Sequence, residues 1–134
     1  MNKSIFKKLL ITELVLIIIT ILKMIFYPYS LAPEDLKNAM IMYDELAPLP
    51  DNFATIMIFI MLIGYFYSIL LLFRFRKFGR QLYVATSALT LLFVFSNGYM
   101  VFDSFEYLLD SFSLILTGFI ISSSYFSKLE KEFK

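Results

Sequence analysis

Residues 53–73 and 82–102 each run for 21 positions without one charged side chain. At about 1.5 Å of rise per helical residue, either run is long enough to cross a hydrocarbon layer ~30 Å thick. Inside lipid a backbone must satisfy its own hydrogen bonds, so such runs are read as helices. Residues 9–27 form a third apolar stretch, which carries Glu13 and Lys23. Residues 105–126 form a fourth, with Glu106 and Asp110 in its first turns and several hydroxyls after them. The expected fold is therefore all-α: an integral membrane four-helix bundle in which residues 1–134 make a single transmembrane domain.

What the chain lacks narrows its chemistry. Of its 134 residues 60% are hydrophobic and only 17% charged, against about a quarter charged in a soluble domain. Without Cys there is no disulfide, thiol nucleophile or Fe–S ligand. Without His there is no imidazole metal site, haem ligation through His, Ser-His arrangement or di-iron carboxylate–His set. No enzyme activity, cofactor or metal is expected, and no soluble basic surface points to nucleic acid.

Lys3, Lys7 and Lys8 ahead of an apolar run have the look of a signal peptide. The run exceeds the usual h-region of about 7–15 residues and ends in Tyr27-Pro28-Tyr29, not a small-x-small cleavage site. A retained first helix is the expectation.

Charges then assign the sides. The N-terminal segment has Lys3, Lys7 and Lys8 and no acid. The outer loop, residues 28–52, has Glu34, Asp35, Asp44, Glu45 and Asp51 against Lys37 alone. The second connection holds Arg74, Arg76, Lys77 and Arg80, and the tail holds Lys128, Lys131 and Lys134 with Glu130 and Glu132. Four crossings put the three cationic segments on one side, which the positive-inside rule makes cytoplasmic. An N-in/C-in protein of the inner (cytoplasmic) membrane follows, with a bias too large for dual insertion.

Within the outer loop, Pro33-Glu34-Asp35 suits a helix N-terminus. Leu36, Ala39, Met40, Tyr43 and Leu46 then recur at helical spacing until Ala47-Pro48. A short amphipathic helix is expected in this first extracytoplasmic loop, either as a lid on its own bundle or as a surface for a partner. Glu34, Asp35, Tyr43, Asp44 and Glu45 are the partner-binding candidates.

Glu13 stands out, because ionisable residues within membrane helices tend to be functional. Three roles are open: snorkelling or pairing with a loop cation such as Arg80, binding a proton or cation, or hydrogen bonding between helices. Lys23 lies about 15 Å further along the helix, level with Glu106 and Asp110, either of which could pair with it. In the fourth helix Asp110, Ser113, Thr117 and Ser124 form a polar stripe, and Gly118 with Ser122 makes a small-xxx-small pair expected to pack within the monomer. Asn97, in Ser96-Asn97-Gly98-Tyr99, is a further intramembrane candidate. Tyr27, Tyr29, Tyr83, Tyr99 and Tyr107 are expected at the interfaces, whereas Tyr65 and Tyr67 lie deeper, where at least one should face a protein partner.

The segment Arg76-Lys77-Phe78-Gly79-Arg80-Gln81-Leu82-Tyr83, with Gly118 and Tyr125-Phe126-Ser127 ahead of a charged tail, resembles small uncharacterised four-helix inner-membrane proteins of bacteria. That resemblance spans the C-terminal half and implies no activity. In size, helix number and N-in/C-in plan the chain is similar to the immunity proteins against pore-forming bacteriocins. Glu13-Leu14-Val15 with Lys23 at the helix end also resembles the small multidrug transporters. A long acidic loop, no Trp, no glycine-rich helix motif and the strong charge bias separate the chain from those.

The first expectation for function is a non-catalytic binding protein of the bilayer, an immunity or accessory protein that recognises a membrane-acting partner or self-associates. Its competitors are a proton-coupled exporter or oligomeric channel using Glu13, and a structural subunit of a membrane complex.

Overall fold

The computed structural model describes residues 2–26, 33–46, 51–97 and 104–134, without the side chains at 24, 40, 43–46, 51 and 97. Among the described residues there are five α-helices and no strand: α1 (Lys3–Phe26), α2 (Glu34–Leu46), α3 (Asp51–Phe73), α4 (Lys77–Asn97) and α5 (Ser104–Phe126), followed by a 3₁₀ turn (Lys128–Glu132).

Two helix starts have a clear local cause. Asn2 caps α1, its side-chain oxygen accepting the Ile5 N–H at 2.9 Å. This cap lets α1 begin six residues before the apolar run does, with Lys7 and Lys8 inside the helix. The Pro33 carbonyl accepts the first bond of α2 from Lys37 N at 3.0 Å, and Glu34 and Asp35 in the first turn complement the helix dipole. Helix α3 ends where Arg76 N–H reaches the Leu71 carbonyl and Phe75 N–H reaches that of Leu72, both at 3.0 Å. That pair of bonds is a Schellman ending. Phe75 takes its left-handed position, φ 51°, where glycine is usual. The second connection is thus shorter than the cationic run implied, since Lys77 and Arg80 belong to the first turn of α4.

The long helices form a ring in the order α1, α3, α4, α5, each packed on the next and α5 closing on α1. Two glycines allow close approach between α3 and α4. A Cβ on Gly79 would come within 2.7 Å of Leu71 Cβ, and one on Gly64 within 2.9 Å of Thr86 Cγ2. At one end the rings of Phe6, Phe75 and Phe133 pack together, with centroids 5.2–5.9 Å apart. Lys134 N–H donates to the Phe75 carbonyl and Lys77 N–H to that of Lys134. The start of α1, the α3–α4 turn and the tail therefore share this end, and neighbouring helices of the ring run antiparallel.

Three helices are long and apolar enough to cross a membrane among the described residues: Asn52–Phe73, Lys77–Ser96 and Ser104–Phe126. Their outward faces are apolar, with Ile63 67%, Leu92 65%, Phe95 83% and Phe119 59% exposed. Water solvates so large an apolar exterior poorly, and lipid solvates it well. Gly118 lies on that exterior, with nothing within 4 Å of a Cβ placed there, and Ser122 is exposed too. The small-xxx-small pair faces outward, contrary to the expectation that it packs inside the monomer.

Candidate functional site

Because α1 begins at Lys3, Glu13 sits ten residues into it, about 15 Å along the axis. Its exposure is 0%. Oε1 accepts three hydrogen bonds, from Tyr65 OH on α3 at 2.5 Å, Ser113 Oγ at 3.0 Å and Thr117 Oγ1 at 3.1 Å, the last two on α5. The fourth helix joins through Tyr83, whose hydroxyl lies 2.9 Å from Tyr65 OH and 3.3 Å from Thr117 Oγ1. One carboxylate thereby links all four long helices.

Counting protons gives the network a direction. Each hydroxyl has one proton, and those of Tyr65 and Thr117 are committed to Glu13. Tyr83 must then be the donor to Tyr65 or Thr117. Every proton in the cluster points toward the carboxylate. Glu13 Oε2, by contrast, is buried and has no hydrogen-bond partner.

The pairing of Glu13 with Arg80, part of one of the three open roles, does not form. Arg80 Nη1 donates to the Ser124 carbonyl at 2.9 Å, and its guanidinium stacks 4.7 Å from the Tyr125 ring and 4.8 Å from that of Phe133. Among the described residues no Lys or Arg nitrogen lies within ion-pair distance of Glu13.

The other candidates divide clearly. Lys23 pairs with Glu106, Nζ to Oε1 2.9 Å, while Asp110 is exposed. Thr117 belongs to the Glu13 cluster. Glu34 and Asp35 are exposed on α2, and Arg74, Arg76 and Lys77 are exposed at the aromatic end. The side chains of Asn97, Tyr43, Asp44 and Glu45 lie outside the described residues.

Sequence reasoning missed Tyr65, Tyr83 and Ser113 as partners of one site. Tyr83 was expected at an interface, but is 1% exposed, and its ring packs on that of Tyr65 at 5.2 Å. Their nearly equal spacing from the α3–α4 turn was the available signal, since residues equidistant from a tight antiparallel turn lie level. Tyr67 is 52% exposed, so of the two deep tyrosines only Tyr65 turns into the bundle. Compared with protein families, curated proteins and solved structures, the chain matches none.

Proposed function

We propose that the chain is a four-span protein of the cytoplasmic membrane, both termini inside, that binds a membrane-acting polypeptide without catalysing a reaction. In this reading α1 is the fourth span, and α2 is the recognition element on the outer face. The observation that carries it is the surface of α2. Ile41 and Met42 are each 59% exposed on a helix whose first turn presents the exposed acids Glu34 and Asp35. Among the described residues α2 makes no extended packing contact with the long helices.

An acidic helix with exposed aliphatic side chains fits a cationic, amphipathic partner, as a membrane-acting polypeptide commonly is. Support for the cytoplasmic assignment of the other end comes from its exposed cations. Lys7, Lys8, Arg74, Arg76 and Lys77 have no acid within ion-pair distance among the described residues, and Lys3 pairs with Glu132.

The experiment is in-cell crosslinking from position 43, followed by binding measurements on the captured partner. Combined Glu34→Gln, Asp35→Asn and Ile41→Ser substitutions are expected to weaken binding at least about tenfold, equivalent to about 1.4 kcal/mol. Unchanged affinity in that variant would remove α2 from the recognition surface. Crosslinks only between copies of the chain would replace the heterologous partner with self-association.

A further inference from the structure

We propose that Glu13 is a reversible proton-binding site whose proton is carried on Oε2. The inference is independent of whether α2 binds a partner.

An ionised carboxylate enclosed in protein without a cation is costly, and neutralisation by a bound positive charge removes that cost. Glu13 is enclosed on every side, and among the described residues no Lys or Arg lies within ion-pair distance of it. Its titratable neighbours are Tyr65 on α3 and Tyr83 on α4, and α5 contributes only the hydroxyls of Ser113 and Thr117.

The occupant is a proton rather than a metal ion. Glu13 is the one carboxylate of the cluster, and among the described residues no group of three or more Asp, Glu, His or Cys side chains is gathered that could hold a metal ion. The hydroxyl oxygens stand 2.5, 3.0 and 3.1 Å from Oε1, each at hydrogen-bond distance. The free oxygen completes the argument. Oε1 can accept from the same three donors as part of a carboxylate or as the carbonyl oxygen of a carboxylic acid, the bonds being stronger to the charged form. Oε2 has no partner to lose. One proton can therefore bind there, converting the carboxylate to the neutral acid, without turning any hydroxyl of the cluster. Because the accepting oxygen joins four helices, the charge on this one group acts on the contact of all of them. Tyr65, Ser113 and Thr117 are positioning residues.

The test is pH-dependent difference infrared spectroscopy on the intact protein in liposomes. The expected result is a protonated-carboxyl C=O band that appears and disappears reversibly with pH and is lost in Glu13→Gln. Should Glu13→Gln fail to insert, Thr117→Val preserves the carboxyl, and the midpoint of the band is expected to shift while a substitution at exposed Ser122 leaves it in place. A Glu13 band that is present at every pH, or at none, overturns the proposal and leaves the cluster purely structural. An unmoved midpoint in Thr117→Val overturns the assignment of the band to this site.

Discussion

The carbonyl of Phe75 accepts the N–H of Lys134 at 2.9 Å, fastening the tail to the turn between α3 and α4. The same Phe75 holds φ 51°, a conformation that costs an L-residue roughly 1–2 kcal/mol. Its ring compensates by packing on Phe6 at 5.8 Å and Phe133 at 5.2 Å, contacts worth about 0.5–1.5 kcal/mol each beyond simple burial.

Two substitutions separate the backbone from the ring. Phe75→Ala keeps the strain and loses the ring contacts, whereas Phe75→Gly loses both. The glycine variant is expected to be the more stable of the two by about 1 kcal/mol, with both below the parent, in unfolding titrations with a denaturing detergent. Equal stability of the two would show that the left-handed conformation is not strained.

Lys23 and Glu106 form an ion pair joining α1 to α5, their side chains only 14% and 9% exposed. Removing one partner of a buried pair costs about 3–5 kcal/mol, while replacing both by apolar groups of similar size is often neutral. Lys23→Met should therefore destabilise the bundle more than Lys23→Met combined with Glu106→Leu. Additive losses in the same unfolding assay would mean that the two groups do not interact.

These residues show what sequence could and could not disclose. The helices were legible because long apolar runs leave few alternatives, and a cation at 23 facing an acid at 106 follows from their depths along antiparallel helices. Three roles were open for Glu13, and only the folded ring, which brings Tyr65, Ser113 and Thr117 to its carboxylate, shows the hydrogen bonding between helices. Tyr83 has the amphipathic ring of an interface residue, and only its level with Tyr65 in the folded hairpin reveals it as buried. The rotation of α5 was equally hidden: Thr117 and Gly118 are neighbours in sequence, yet one turns to Glu13 and the other outward.

Gly79 and Gly118 give opposite expectations for the same substitution. A Cβ at Gly79 meets Leu71 Cβ at 2.7 Å and the α3 backbone at 2.9 Å, contacts that force the helices apart. Gly79→Ala should cost about 1–3 kcal/mol, the usual range for overpacking. Gly118→Ala meets open space and gains helix propensity, so it should be neutral or stabilising by up to about 1 kcal/mol. Thermal aggregation of the two variants in mild detergent is enough to rank them. A destabilised Gly118→Ala would instead locate a close contact with another molecule on that face.

Absence of native cysteine makes the orientation directly measurable. Lys8→Cys and Lys131→Cys place a thiol at the end where Lys3 meets Glu132, and Glu34→Cys places one on exposed α2. All three side chains are exposed, so labelling depends on the side of the membrane and not on burial. With a membrane-impermeant maleimide, Glu34→Cys should label in intact cells, or in spheroplasts if an outer membrane intervenes. Lys8→Cys and Lys131→Cys should label only after the membrane is opened. The opposite pattern would invert the bundle and place α2 in the cytoplasm, out of reach of an external partner. Labelling of Lys8→Cys and Lys131→Cys from different sides would reduce the crossings to an odd number, removing α1 as the fourth span.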